Sequence, residues 1–339
     1  MRCILHIGTP KTGTTSLQRV LSSNRDTLAA EGVCYSRAAG KFNSRSLAAA
    51  ISPNRNEDYL SRQKLLDTDA FQRWREALLD DINNEIADAR RSRDVYLLSS
   101  EHFTSTLDQV SDVTRLAQFL APHFSEIKIV CYLRRQDLMA VSRISEALRA
   151  GMTRRRLPDV TSNGSLPAIY DYDQLLARWG SVFGQSALHP KVFEQSQLVG
   201  GDIVTDFLET ELRLRLNRPD NPPENTALSA TAQLALLMFN RTVSDHSPTN
   251  AVQHRLLFVK HLEKVAPGQG WLPSKQDAID FYGRFEPGNG RIAREFFNQD
   301  ALFEENFERY PVTEIRDDVA VAEGLLAQFL AQPPDSEYR

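Results

Sequence analysis

Short apolar runs alternate along the chain with longer segments in which apolar residues recur every three or four positions. Four runs predict strands, at residues 3–7, 95–98, 127–133 and 192–193. Residues 68–91 illustrate the helical spacing, with Phe, Trp, Leu and Ile side chains on one face. Such alternation is typical of βαβ units, so we expect an α/β fold with a central, mostly parallel sheet flanked by helices.

The last third of the chain has a different pattern, because helical spacing continues there without strand-like runs. Helices are expected at residues 229–242, 252–264, 275–282, 289–298 and 317–331. Two polar stretches, residues 36–66 and 151–167, are expected to be irregular insertions beside the sheet. The stretch 217–225, rich in Pro and Asn, is the best internal boundary.

We therefore expect one domain over residues 1–339. Residues 1–215 would form the α/β core, and residues 216–339 a helical C-terminal extension packed on that core. At 41% apolar residues the chain can build a substantial interior.

Composition narrows the possible functions. The chain has 40 basic and 44 acidic residues and a net charge of −4, which argues against a general nucleic-acid or membrane binder. The three cysteines and the histidines lack the spacing of metal ligands or of a disulfide framework, so we expect no metal. The first predicted strand begins at residue 3, so we expect no signal peptide before it. No apolar run approaches the roughly 18 residues of a membrane span. The expectation is a cytoplasmic protein without a transmembrane segment.

The most informative segment follows the first predicted strand and precedes a helical pattern that begins at Leu17. It reads Gly8-Thr9-Pro10-Lys11-Thr12-Gly13-Thr14-Thr15-Ser16. A strand, a glycine loop and a helix point backbone N–H groups and the positive end of the helix at one spot, which suits a phosphate. The alternative is an ordinary strand-to-helix turn with a polar N-cap.

The loop differs from the nucleotide triphosphatase motif G-x-x-x-x-G-K-[ST] in one respect. Gly8 and Gly13 have the required spacing, but Thr14 occupies the lysine position. The only lysine of the loop is Lys11, so a cation would approach the anion from the side of the loop. The hydroxyl groups of residues 14–16 are left to bind anion oxygens.

A second polar segment follows the strand at 127–133. Arg134 lies at the carboxyl end of that strand, and Ser142 lies about two helical turns further on. A guanidinium and a hydroxyl in this arrangement suit a second phosphate. Taken alone, Arg134 and Arg135 would also fit surface charge or a structural ion pair.

Together these two segments resemble sulfotransferases that use 3′-phosphoadenosine 5′-phosphosulfate (PAPS). Residues 10–15 match a family loop of the form P-K-[ST]-G-T-T. The family's 3′-phosphate segment has an Arg eight residues before a Ser, as Arg134 and Ser142 are here. The resemblance to bacterial members continues less sharply through 172–180 and 192–194 and covers about residues 1–215. It implies a P-loop-NTPase-like sulfotransferase fold.

The resemblance also implies roles for these residues. The 5′-phosphosulfate would be held by Pro10, Lys11, Thr12, Gly13, Thr14, Thr15 and Ser16, with Thr14 and Thr15 as hydroxyl ligands. Lys11 would contact the bridging oxygen and the departing phosphate. Arg134 and Ser142 would hold the 3′-phosphate. Family members often place an aromatic residue after the two threonines to stack on adenine, whereas this chain has Ser16, so the adenine contact is not assigned.

An acceptor hydroxyl needs a base, and residues 99–103 supply two candidates at the end of a strand. Glu101 falls where many cytosolic members of the family place a catalytic histidine, and several carbohydrate sulfotransferases use glutamate. The adjacent His102 is the other candidate. If the segment is extended, successive side chains face opposite ways and only one of them faces the acceptor. We favour Glu101, with a structural pair between Glu101 and an arginine as a further alternative.

Two arginine-containing segments remain open to two interpretations. Residues 284–294 have turn chemistry before a helix, and Arg291 there would either contact the cofactor or belong to a solvated helix start with ion pairs. Residues 154–156 are three arginines that would attract an acidic acceptor or form a solvated face.

The expected activity is transfer of a sulfuryl group from PAPS to a hydroxyl of a small molecule or glycan, most plausibly a carbohydrate or glycolipid, leaving adenosine 3′,5′-bisphosphate (PAP). The acceptor is placed in this class because the base is a glutamate and the intervening loops are polar. Two alternatives are a P-loop kinase or NTPase and an inactive nucleotide-binding protein. The displaced lysine argues against the first, and the presence of Glu101 against the second.

Overall fold

The structure is a computed structural model that describes residues 1–53, 56–159, 168–216, 226–244, 248–314 and 318–331. Their contacts divide them into two compact units. The first unit comprises the described residues of Met1–Arg135, Thr161–Arg218 and Glu286–Phe303, and the second comprises those of Gln136–Val160, Pro219–Phe285 and Glu304–Arg339. The predicted boundary at 217–225 lies outside the described residues, and the single domain remains a prediction.

The first unit is built on a five-stranded sheet in which every neighbouring pair is parallel. The strands are β1 (Arg2–His6), β2 (Val33–Tyr35), β3 (Val95–Ser99), β4 (Ile127–Leu133) and β5 (Leu188–Val192). Their order across the sheet is β2-β3-β1-β4-β5. This arrangement confirms the predicted α/β fold with a parallel central sheet.

The helices of the described chain are numbered here in chain order. They are α1 (Thr14–Ser23), α2 (Arg25–Ala30), α3 (Arg45–Ile51), α4 (Glu57–Arg62), α5 (Thr68–Ala89), α6 (His102–Thr106), α7 (Val110–Leu120), α8 (Gln136–Arg149), α9 (Tyr172–Phe183), α10 (Ile203–Phe207), α11 (Ala230–Ser244), α12 (Pro248–Val265), α13 (Lys275–Gly283), α14 (Glu286–Ile292) and α15 (Val319–Ala331). The second unit contains α8, α11, α12, α13 and α15, and the first contains the others.

Strand prediction succeeded where an apolar run is buried on both faces. All five residues of β3 are buried, because helices cover both sides of a parallel sheet. The prediction at 192–193 caught only the end of β5. This edge strand alternates buried and more exposed residues and contains Pro190, which an edge strand tolerates. The three-residue strand β2 was not predicted at all.

The expectation that residues 36–66 are irregular was wrong in part, because α3 and α4 lie there. The five residues 47–51 of α3 are all buried, so a short apolar segment is helical inside a mostly polar stretch. The helix predicted at 68–91 is confirmed as α5. Of the later helices, the one expected at 289–298 differs most: α14 ends at Ile292, and a π-helical turn at Ala293–Phe297 follows it.

Each unit has its own apolar interior. In the first unit, side chains of β1, β3 and β4 pack with those of α1 and α10, for example Ile4, Leu17 and Phe207. In the second, α8, α11, α12 and α15 enclose a cluster that includes Phe239 and Phe258.

The register of the sheet brings two loops to one edge. His6 at the end of β1 is paired with Ser99 at the end of β3. Because both strands run in the same direction, the segments that follow them, residues 7–13 and 100–101, leave the sheet side by side. Ligands of open parallel sheets bind beyond this carboxyl edge.

Candidate active site

The loop between β1 and α1 is shaped by its backbone. Gly8, Lys11 and Gly13 have φ angles of +50°, +66° and +76°, all in the left-handed region. Only glycine adopts that region without cost, so Lys11 carries local strain. A Cβ atom at Gly13 would lie 2.8 Å from Cγ2 of Ile203, so this position also lacks space for a side chain.

Side chains around the loop hold its carbonyl groups in place. The Thr9 hydroxyl donates to the carbonyl oxygen of Tyr132 on β4. The buried Thr12 hydroxyl donates to the Thr9 carbonyl at 2.7 Å. From α6, the Thr104 hydroxyl lies 2.6 Å from the Gly8 carbonyl oxygen. These contacts direct loop carbonyls toward the protein, as an anion site requires.

Helix α1 begins directly after Gly13 and presents its positive end at the loop. The first turn of this fully described helix contains no acidic residue and has no side-chain N-cap. The N–H groups of residues 14–16 precede the first helical hydrogen bond, which Leu17 donates to Gly13 at 3.2 Å. Thr14 is buried, whereas Thr15 and Ser16 are exposed. Backbone donors and the helix dipole therefore favour an anion here.

The structure brings Arg134 to this loop. Its Nη1 atom donates to the carbonyl oxygen of Lys11 at 2.6 Å, and its guanidinium carbon lies 5.7 Å from the ring centre of Phe193. The hydroxyl of Tyr172 donates to the Arg134 carbonyl at 2.7 Å, which fixes the backbone after β4. The neighbouring Arg135 is buried. A cation is thus held beside a loop that already favours anions.

Ser142 lies on α8 and is half-buried. That helix belongs to the second unit, whereas Arg134 belongs to the first. The joint role of Arg134 and Ser142 stays a prediction.

Glu101 and His102 follow β3, but the segment is not extended as expected. Glu101 has φ −68° and ψ −16°, a helical conformation, and it is the N-cap residue of α6. As a result the two side chains do not face opposite ways, and Oε1 of Glu101 lies 3.8 Å from Nε2 of His102. Both side chains are partly exposed, at 27% and 20%. Burial lowers the pKa of His102, and the nearby Glu101 carboxylate partly opposes that change.

The backbone of Glu101 contacts the loop. A Cβ atom at Gly8 would lie 3.3 Å from the Cα atom of Glu101. The candidate base and the candidate anion loop are therefore in direct contact at the sheet edge.

Sequence reasoning missed the side chains that support Glu101. Gln18, on α1, is 1% exposed, and its amide nitrogen lies 2.9 Å from Oε2 of Glu101. Asn43 in turn donates to Gln18 at 3.2 Å. One signal was available, because Gln18 follows Thr14 by one helical turn and is flanked by the apolar Leu17 and Leu21. A polar residue on the buried face of a helix needs a partner.

Three arginines of the remaining segments have partners within their own units. Arg291 pairs with Asp173 on α9 at 2.6 Å, and this contact raises the pKa of Arg291. Arg156 pairs with Asp159 at 2.7 Å. Arg155 donates to the carbonyl of Ala230 at 2.8 Å. These contacts agree with the interpretation in which the arginines form ion pairs and structural hydrogen bonds at the protein surface. A cofactor role of Arg291 remains a prediction.

Two kinds of feature are absent from the described residues. Within the described ranges, no group of three or more His, Cys, Asp or Glu side chains is arranged to hold a metal ion. In the same parts of the chain, no helix combines the length and apolar character needed to cross a bilayer.

Comparisons with known proteins give a limited picture. No protein-family model matches the chain. An uncharacterised protein from Archaeoglobus fulgidus is 26% identical over 225 residues, which amount to 63% of this chain and 58% of that protein. The crystal structure of a sulfotransferase from Alicyclobacillus acidocaldarius is similar to 88% of this chain and 96% of its own, at 15% identity and a TM-score of 0.42. At that TM-score the likeness carries no argument about activity.

Proposed function

We propose that the chain is a PAPS-dependent sulfotransferase that transfers a sulfuryl group to a hydroxyl of a carbohydrate or glycolipid. One observation carries the proposal. The loop and the start of α1 have the sequence Pro10-Lys11-Thr12-Gly13-Thr14-Thr15, with left-handed φ angles at Lys11 and Gly13. The Arg134 guanidinium donates a hydrogen bond to the Lys11 carbonyl of this loop. Glu101 contacts the same loop, so donor site and base would share one sheet edge.

The donors at this edge fit the anionic end of PAPS. Residues 14–16 offer backbone N–H groups, and Thr15 and Ser16 add exposed hydroxyls. Lys11 and Arg134 add two cations. Phosphate and sulfate groups are recognised by this combination of helix N-terminus, hydroxyl and guanidinium. When bound, PAPS would supply the sulfuryl group for an in-line displacement.

Each protein group would then have a defined task. Lys11 would stabilise the negative charge that develops on the leaving phosphate oxygen. Stabilisation of developing charge by preorganised groups is usually the largest single contribution to catalysis. Arg134, with Ser142, would hold the 3′-phosphate. Glu101 would accept the proton of the acceptor hydroxyl, with His102 as the alternative base.

Ligand discrimination tests the donor. PAP at about 100 times its dissociation constant should stabilise the protein by roughly 2.7 kcal/mol, whereas ATP with magnesium should not. Thermal unfolding with each ligand measures the difference. Equal stabilisation by both would favour a kinase or NTPase, and stabilisation by neither would contradict a nucleotide site.

An acceptor screen tests the reaction. The protein is incubated with 35S-labelled PAPS and a panel of monosaccharides, disaccharides, glycolipids and phenols, and labelled products are separated from inorganic sulfate. Label on a sugar hydroxyl supports the proposal, and label on a phenol would correct the acceptor class. PAP binding without transfer to any acceptor or to water would indicate an inactive nucleotide-binding protein.

A further inference from the structure

Two linked side-chain amides, Asn43 and the buried Gln18, end on the candidate base. Gln18 is 1% exposed, and its Nε2 atom lies 2.9 Å from Oε2 of Glu101 and 3.4 Å from Oγ of Ser99. Its Oε1 atom accepts from Nδ2 of Asn43 at 3.2 Å. Gln18 is thus enclosed in the protein, whereas the carboxylate that it contacts is partly open to solvent.

The direction of these hydrogen bonds is fixed by a backbone donor. The N–H of Arg45 donates to Oδ1 of Asn43 at 3.2 Å, so the NH₂ group of Asn43 must point away from it, toward Gln18. Gln18 therefore presents its oxygen to Asn43 and its NH₂ group to Glu101. An inverted amide would place an oxygen against the carboxylate and a donor against a donor.

We propose that Gln18 is a positioning residue that holds one oxygen of Glu101 and leaves the other to receive the acceptor's proton. Oε2 accepts from Gln18, and Oε1 is the atom nearer His102, at 3.8 Å from Nε2. This inference rests on the proposed function. As the acceptor oxygen forms its bond to the sulfuryl group and PAP departs, the acceptor O–H bond would break and its proton would be transferred to Oε1, while the Gln18 amide keeps the carboxyl group in one orientation. Hydrogen bonds to a carboxylate oxygen stabilise the charged form in general, which makes the pH profile of kcat a suitable readout of this contact.

Other charged groups around the carboxylate do not replace this amide. Tyr35 interacts with it electrostatically: burial raises the pKa of Tyr35, Arg25 opposes this change, and the Glu101 charge adds a smaller contribution that raises it. Arg45 acts on His102, lowering the pKa of that imidazole. Gln18 differs from these groups in making a direct hydrogen bond to Glu101.

The first test replaces Gln18 with leucine, which has a similar volume and no donor. With 35S-labelled PAPS and the best acceptor of the panel, kcat should fall about 10- to 100-fold, the range expected when a reacting group is misplaced. The acidic limb of the pH profile of kcat should move to higher pH, and PAP affinity should stay within twofold of wild type.

Gln233→Leu is the matched control. Gln233 is 4% exposed and bonds Ser145 and the backbone of Trp271 within the second unit. Its loss should lower stability as the loss of Gln18 does, while the pH profile of kcat stays in place. If Gln18→Leu matched this control in both kcat and pH profile, the positioning role would be wrong.

A second variant keeps Gln18 but is designed to turn its side-chain amide around. In Asn43→Asp the side chain still accepts from Arg45 but offers no donor to Gln18, so the glutamine amide should rotate and turn its oxygen to Glu101. The loss of kcat and the shift of the acidic limb should both appear, and adding Gln18→Leu should cause little further loss. If the two substitutions instead lowered kcat independently, so that their factors multiplied in the double variant, Asn43 would not act through Gln18 and the proposal would be contradicted. This variant also serves if Gln18→Leu does not fold.

The two proposals fail in distinguishable ways. If wild type neither binds PAP nor consumes labelled PAPS, the sulfotransferase assignment is wrong. If wild type transfers sulfate and Asn43→Asp retains both its kcat and its pH profile, only the role of Gln18 is wrong.

Discussion

The loop after β1 and the segment after β3 leave adjacent strands at the same edge, yet they are constructed differently. Three residues with left-handed φ angles within six positions shape the loop, and the donors that it offers are largely backbone N–H groups. The segment after β3 has ordinary helical angles at Glu101 and depends on side chains, above all Gln18.

This difference implies different sensitivities for the two halves of the proposed reaction. Backbone donors are preserved through most side-chain changes, so the anion site should tolerate substitution except at its glycines and its cations. The Glu101 carboxylate, by contrast, accepts from the side chain of Gln18, so changes at Gln18 and at Asn43 should reach it. The predictions below test that contrast, beginning with activity and binding, from the larger effect to the smaller, and ending with stability.

The largest effect is expected at Lys11. Lys11→Ala removes the cation but keeps a Cβ atom, so the strain of its left-handed backbone is unchanged. Transfer should lose about 3–4 kcal/mol of barrier stabilisation, roughly 100- to 1000-fold in kcat, with little change in the melting temperature. Labelled-PAPS kinetics and thermal unfolding measure the two quantities.

Lys64→Ala provides the matched control, because Lys64 also has a left-handed φ angle, of +57°, and is exposed. It should leave kcat unchanged. Wild-type turnover in Lys11→Ala would contradict the role assigned to Lys11. It would also mean that the loop does not need its lysine for turnover, so that its cation would not be an exception to its tolerance of substitution.

A smaller effect on binding is expected at Arg134. Arg134→Ala should weaken PAP by about 1.5–3 kcal/mol, roughly 10- to 100-fold in Kd, since it removes a charged donor and the contact with the Lys11 carbonyl. Titration calorimetry with PAP is the measurement. The same titration of Arg291→Ala separates the two interpretations of that residue. Unchanged affinity there would restrict Arg291 to its ion pair with Asp173, and a comparable loss would establish a cofactor contact.

Sequence reasoning identified the backbone-built region better than the side-chain-built one. The glycine spacing of the loop, Lys11 and the Arg after β4 are all visible in the sequence, because strand, loop and helix are contiguous. The proximity of Arg134 to the loop agrees with the rule that ligands of parallel sheets bind beyond the carboxyl ends of the strands. Because both faces of the sheet are covered by helices, β1, β3 and β4 are continuous apolar runs and could be predicted from the sequence.

The support of Glu101 could not be predicted in the same way. Gln18 and Glu101 are 83 residues apart, and Asn43 is 25 residues from Gln18. Their meeting depends on the register of β1 with β3 and on α1 packing against the sheet, neither of which has a local sequence signal. The helical turn at Glu101 was missed because the apolar run before it suggested that the strand continued.

The contrast also predicts a stability effect confined to the loop. In Gly13→Ala the left-handed backbone should cost about 1–2 kcal/mol of unfolding free energy, and the contact with Ile203 should add to that. Gly200→Ala is the control: Gly200 has a similar φ of +66°, but a Cβ there would come no closer than 3.3 Å to a Thr205 methyl group. Urea unfolding compares the two variants. Equal losses would show that backbone conformation alone, and not space, requires Gly13.

The last prediction concerns the pH dependence of stability and His6, whose Nδ1 atom lies 2.8 Å from Oγ of Ser99 at the end of β3. Complete burial lowers the pKa of His6 from 6.5 to about 3. Between those values the unfolded chain binds a proton that the folded chain does not, so stability falls as pH decreases. The slope from this group is about 1.4 kcal/mol per pH unit. His6→Asn keeps a polar atom near Ser99 and removes the titration. Urea unfolding at several pH values from neutral down to the middle of that window should show the wild type losing its advantage over the variant as the pH falls. Parallel curves would mean that the imidazole takes up its proton at the same pH in the folded as in the unfolded protein, which at acidic pH would place a charge inside the network that the carboxylate depends on.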